Sequence, residues 1–133
     1  SRAQLTGQVV RPALREGKVV ISDRFLVSSI AYQGYGRNLG DMIRRINEPA
    51  VEGLKPDLTI LLKTDPAAMR KRRDASLEDR MDSQKLEFHR EVLRGYLTLS
   101  QEEPERFFVI DGERPVDEIA KAIRERVDRF VWK

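Results

Sequence analysis

Two groups of side chains in this sequence are placed to do chemistry. Asp23-Arg24 directly follows the apolar run Val19-Val20-Ile21, so a carboxylate and a guanidinium stand together where a buried strand would end. A carboxylate in that position can hold a magnesium ion, often through water, and the arginine can clamp a phosphate that would otherwise repel it. Taken alone, the pair reads equally as an ion pair closing the strand. The second group is Arg70-Lys71-Arg72-Arg73, followed after a short loop by Arg80. Consecutive helical residues splay around the axis, so four bases in a row most simply cover a solvated face. The lone His89 has no base or metal partner nearby in sequence and reads as structural, and Phe130 and Trp132 read as packing residues at the end of the last helix.

The elements that position these groups alternate. Residues Ala3 to Arg15 place Leu5, Val9, Ala13 and Leu14 on one helical face, with Gly17 just beyond as a stop. Val19-Val20-Ile21, Leu58-Thr59-Ile60-Leu61-Leu62 and Phe107-Phe108-Val109-Ile110 are short apolar runs that predict buried strands. Helical patterns lie around Met42, Ile43 and Ile46, from Asp65-Pro66 onward, through Leu86, Val92, Leu93, Tyr96 and Leu97, and through Ile119, Ala120, Ile123, Val127 and Phe130. Strands buried on both faces and joined by helices imply a parallel sheet with helices packed on it, the α/β class. Ligands of such sheets bind beyond the carboxyl ends of the strands, which draws attention to Ser22-Asp23-Arg24, Lys63-Thr64-Asp65 and Asp111-Gly112. Gly34 to Gly40 and Asp74 to Asp79 read as loops, and neither reads as a domain boundary.

Composition narrows the function. At 133 residues and 40% hydrophobic content the chain supports one core, residues 1–133 as a single domain. It has no cysteine, which removes disulfides, zinc–thiolate sites and thiol nucleophiles and leaves the chemistry of hard, oxygen-bound ions. Its 25 basic residues are 18 Arg and 7 Lys, a bias toward the planar donor fork that matches phosphate and carboxylate oxygens. Against nucleic acid as the partner stand the 22 acidic residues, the net charge of only +3 and the lack of a basic stripe interleaved with aromatics. There is no apolar run of membrane-spanning length and no apolar stretch of signal-peptide type at Ser1-Arg2-Ala3-Gln4, so the expectation is a soluble, cytoplasmic protein.

The stretch Asp23-Arg24-Phe25-Leu26-Val27-Ser28-Ser29-Ile30-Ala31-Tyr32-Gln33-Gly34 resembles the signature of thymidylate kinases, enzymes that phosphorylate dTMP with ATP. Arg2-Ala3-Gln4 and Arg11-Pro12-Ala13-Leu14 resemble that family's preceding helix, and Lys55-Pro56-Asp57-Leu58-Thr59 its approach to the next strand. Asp79-Arg80-Met81, Leu86-Glu87-Phe88-His89 and Gly95-Tyr96-Leu97 resemble its lid and the helix after it. The resemblance implies a P-loop-kinase-like parallel sheet flanked by helices, with a lid at about residues 70–81. It implies that Arg24 grips the dTMP phosphate and that Arg2 bonds the O4 carbonyl of thymine, where a cytosine amino group would oppose it donor to donor. Ser29 would meet thymine N3, with Ser28 in the same pocket. Tyr32 would exclude a 2′-hydroxyl, with Gln33 beside it, and Tyr96 would close the pocket near the sugar. Asp23 would help to hold Mg2+. Arg73 and Arg80, more than Arg70 and Arg72, would stabilise charge developing on the phosphates of ATP and dTMP, and Glu113 and Arg114 would line the adenine pocket. A homodimer built from helix faces is also implied.

One part of the family pattern is missing. A P-loop, whose glycines let backbone N–H groups cradle the ATP phosphates, does not occur in this sequence: Gly17-Lys18 lacks the leading glycine and precedes a strand where a helix should open. The resemblance therefore covers the C-terminal two thirds of the family's fold, with the N-terminal strand, the P-loop and the aromatic that stacks on thymine expected upstream of Ser1. On that basis the 133 residues alone are expected neither to bind ATP phosphates nor to phosphorylate dTMP. Two other readings stay open: an inert nucleotide-binding fragment, and a nucleoside monophosphate kinase of different base preference, against which Arg2 with Ser29 argues. For the lid, Arg73→Ala and Arg80→Ala are expected to lower kcat more than they raise KM for dTMP, since their partner charge develops only in the transition state. Steady-state kinetics showing a change in KM alone would reduce the cluster to a surface feature.

Overall fold

A computed structural model describes the backbone of residues 2–73 and 80–132, and the side chains of these residues outside 70–84. The chain opens in a helical run made of α1 (Arg2–Leu5), a wide π-helical turn (Thr6–Val10) and α2 (Arg11–Arg15). The run ends where the sequence predicts. Gly17 takes a left-handed φ of +74°, and two reversed bonds close the helix, Lys18 N–H to Ala13 C=O and Gly17 N–H to Leu14 C=O, each 3.0 Å.

The strand expected at Val19-Val20-Ile21 does not form. The segment stays outside any ladder, with Val19 68% and Ile21 94% exposed. A strand exists through its neighbours, and among the described residues only two strands pair with each other. After it come α3 (Leu26–Ser29), a π-helical stretch (Ile30–Gly36) and α4 (Met42–Val51). The loop expected from Gly34 is therefore shorter, because Gly34 to Gly36 still belong to the π-helical stretch. The remaining elements are β1 (Thr59–Lys63), α5 (Pro66–Arg73), α6 (Arg80–Glu102), a short 3-10 turn (Pro104–Arg106), β2 (Phe107–Asp111) and α7 (Val116–Val131). The predicted loop Asp74 to Asp79, the middle of the expected lid, lies outside the described residues.

β1 and β2 run parallel, in register from Thr59 opposite Phe107 to Lys63 opposite Asp111. The expectation of strands buried on both faces holds only in part. Leu61 and Phe107 join Ile30, Ile43 and Leu99 in the core, with Tyr35, Tyr96 and Leu97 packed against it. On the opposite face Ile110 is buried and α7 reaches β2, while Ile60 and Leu62 of β1 are exposed. The first face is thus covered around Leu61 and Phe107 but open at Val109, and the other is covered only over β2. Trp132, expected to pack, is 80% exposed just past the end of α7. No helix among the described residues is long and apolar enough to cross a membrane.

The roof is held by close approach of α6 to the π-helical stretch. A Cβ added at Gly95 of α6 would fall 2.7 Å from ring carbons of Tyr35. Rings cannot yield by that much without repacking, so Gly95→Ala should destabilise the fold by about 1–3 kcal/mol. The expected readout is a lowered thermal midpoint; an unchanged midpoint would mean that the two elements are not in register as described.

Candidate functional site

The residues singled out at the end of the first apolar run come together with others from four elements. Arg24 sits in a tight turn with a left-handed φ of +68°, and the Ser22 hydroxyl donates to the Arg24 carbonyl at 2.7 Å. A non-glycine residue pays roughly 1–2 kcal/mol for that conformation. The turn points the guanidinium over the face of Tyr32, 5.4 Å from the ring centroid. Tyr32 lies in the π-helical stretch, whose i to i−5 bonding is seen where Arg37 N–H reaches Tyr32 C=O at 3.1 Å. Its ring meets two aromatics of α6 edge to face, Phe88 at 6.0 Å and Tyr96 at 6.4 Å between centroids. Gln33, next in the stretch, is half-buried and accepts the Leu39 N–H on its backbone carbonyl at 3.2 Å.

Two serines of α3 link this aromatic group to the N-terminal run. The Tyr96 hydroxyl donates to Ser28 Oγ at 2.8 Å. Arg2 donates to Ser29 Oγ at 2.7 Å and to Asn47 Oδ1 of α4 at 2.6 Å. Arg11, further along the same run, donates to the carbonyls of Val51 (3.3 Å) and Glu52 (2.8 Å), fixing the run against the end of α4. Burial pushes the Tyr96 phenol above its ordinary value. Its hydrogen bond to Ser28 opposes that shift, Tyr32 adds to it and Arg24 works against it. At neutral pH the group is therefore a proton donor.

Of the residues expected from the sequence, Ser28, Tyr96, Tyr32 and Arg24 form one chain of contacts and Arg2 with Ser29 a second, the two joined through the consecutive serines of α3, with Gln33 following Tyr32 in the chain. Asp23 is exposed in the same turn as Arg24. Glu113 and Arg114 stand elsewhere, at the carboxyl ends of the strands. The Glu113 carboxylate accepts the Asp65 N–H at 3.2 Å, beside the bond from Gly112 N–H to Lys63 C=O at 2.8 Å. Glu113 also lines an open groove of about 850 Å3 with Lys63, Asp65, Arg94, Leu97 and Val109. Arg114 turns instead to Glu118 of α7, at 2.9 Å. Arg73 ends α5 and Arg80 begins α6, and their side chains lie outside the described residues. No group of three metal-ligating side chains converges among the described residues. Sequence reasoning missed Asn47 entirely, because one asparagine on an amphipathic helix carries no signal of its partner 45 positions away.

The parallel strand pair with helices packed on it is consistent with a P-loop-kinase-like α/β fold. The chain belongs to the thymidylate kinase family, whose model matches residues 1–123. It is 49% identical over 133 residues to the thymidylate kinase of Clavibacter michiganensis subsp. michiganensis, an alignment covering 98% of this chain and 63% of that protein. The thymidylate kinase of Leifsonia xyli subsp. xyli is 48% identical over 130 residues (96% and 61%), and that of Desulfovibrio desulfuricans 42% over 139 residues (98% and 64%). The chain thus spans a little under two thirds of the length of these curated relatives.

The raised phenol makes a prediction. Folding favours protonated Tyr96, so its contribution is intact below the ordinary value of 10.0 and is lost as pH rises through that value toward the higher folded one. Tyr96→Phe should cost about 1 kcal/mol at neutral pH through the lost bond to Ser28, and should show a shallower fall in stability above pH 10 than the parent. Chemical denaturation at both pH values measures this; parallel curves for the two proteins would remove Tyr96 as the titrating group.

Proposed function

We propose that this chain provides the dTMP site and lid of a thymidylate kinase that transfers the γ-phosphoryl group of ATP to dTMP. The observation that carries the reading is the connected patch from Arg2 through Ser29 and Ser28 to Tyr96, Tyr32 and Arg24. Its two ends are complementary to the two ends of a nucleoside monophosphate. Arg24, exposed on a turn that the Ser22 hydroxyl closes and held over the Tyr32 ring, meets the phosphate dianion. Arg2 donates to the O4 carbonyl of thymine, and Ser29 faces N3. Tyr32 and Tyr96 border the sugar in this reading, with Gln33 beside them, and Tyr32 excludes a ribose 2′-hydroxyl.

Transfer in this reading depends on placing the two phosphates in line and neutralising the charge that spreads over them. Arg73 and Arg80 do so from the lid, and Glu113 with Arg114 borders the adenine of ATP. Asp23, a lone exposed carboxylate beside the phosphate-binding arginine, fits a magnesium ion, which takes one or two carboxylates and otherwise water and phosphate oxygens. When bound, that ion neutralises phosphate charge. The backbone cradle that the ATP phosphates need is not among these 133 residues, so the activity is that of an enzyme completed by it. The reading places that enzyme in the cytoplasm as a homodimer, with dTMP and ATP as its ligands.

The decisive variant is Arg24→Ala, made with native flanking sequence in place. Losing a charge-assisted clamp on a dianion should lower kcat/KM for dTMP about 100-fold while the thermal midpoint stays near that of the parent, since the side chain lies at the surface. A kcat/KM close to the parent's would sink the assignment.

A further inference from the structure

Several arginines of this protein are answered by carboxylates, among them Arg44 by Glu102, Arg94 by Glu91 and Arg114 by Glu118. Arg2 is different. Its two terminal nitrogens go to neutral oxygens, Asn47 Oδ1 at 2.6 Å and Ser29 Oγ at 2.7 Å, and all three residues are half-buried. The Asn47 amide cannot be turned around, because its Nδ2 donates to the Ile43 carbonyl one helical turn back at 2.8 Å. Reversing it would face two donors on Arg2 and two acceptors on Ile43. The α4 backbone therefore fixes the acceptor, and the acceptor fixes the guanidinium.

We infer that Asn47 is a positioning residue that sets base specificity by holding Arg2 in place without neutralising it. The inference rests on the reading of Arg2 as the donor to the thymine O4 carbonyl and adds a residue to that site. A carboxylate at position 47 would hold the guanidinium as well but would compete with the ligand for its charge. A neutral amide leaves the full charge and the remaining N–H groups facing the ligand. A carbonyl in the ring is then welcomed, and an amino group in the same position is refused.

The test is a double-mutant cycle in the enzyme with its native flanking sequence, reading KM and kcat for dTMP and the preference for dTMP over dCMP. Asn47→Leu keeps the volume and removes the acceptor. It should raise KM for dTMP about tenfold, about 1.4 kcal/mol, with kcat within about twofold, and should reduce the dTMP preference. In an Arg2→Leu background the same substitution should change KM by less than about twofold, because the group it positions is gone. An undiminished effect in that background would mean that Asn47 serves the fold and not Arg2, and would overturn the inference. So would an unchanged KM for Asn47→Leu where Arg2→Leu raises it, which leaves the thymine reading standing. If Arg2→Leu changes neither KM nor preference, both fall. Should Asn47→Leu fail to fold, Asn47→Ser, too short to reach Arg2, takes its place in the cycle with the same expected outcomes.

Discussion

Everything assembled in this protein hangs on the contact between α6 and the π-helical stretch Ile30–Gly36. The glycine at position 95 lets the two backbones approach within a ring's thickness, and Tyr35 fills the space that a methyl group would take. Once they are that close, Tyr32 and Tyr96 must meet edge to face, and Tyr96 must bury its hydroxyl against Ser28. Burying a phenol without a partner costs more than a made hydrogen bond returns, so the Ser28 contact is what makes the tyrosine tolerable there. The same packing seats Leu99 on Leu61 and Phe107, which couples the aromatic group to the parallel strand pair.

The other half of the patch is tied in from the N-terminal run. Arg2 and Arg11, nine positions apart in sequence, both reach α4: one bonds a side-chain amide and the other the last carbonyls of the helix. The carbonyls at a helix end lack intrahelical donors, so Arg11 satisfies groups that α4 itself leaves open. This anchors the run independently of any ligand and presets the direction from which Arg2 approaches Ser29.

The legible part of the fold was the part written in local chemistry. The glycine stop after Arg15, the helices carrying Met42 to Ile46 and Leu86 to Leu97, and the two runs that became β1 and β2 all follow from periodicity and cap residues. The order of residues from Asp23 to Gln33 carried the family, and the family match bears that out. Illegible were features that depend on neighbours. Val19 to Ile21 has the composition of a buried strand but no strand beside it among the described residues, and Ile60 and Leu62 are apolar yet uncovered. Trp132 shows the same limit, since no pattern in the chain says whether a terminal aromatic finds a surface to cover. Asn47 was hidden for a related reason: its chemistry lies in a contact across the fold.

The left-handed turn at Arg24 has a bearing on how this protein can change. A residue with a Cβ is held there at a conformational cost, and glycine would adopt the same angle freely. In the proposed reading, position 24 is thus a place where robustness and ligand recognition pull in opposite directions. Selection for heat resistance or yield alone would drift toward the smaller residue and silence the site without disturbing its frame.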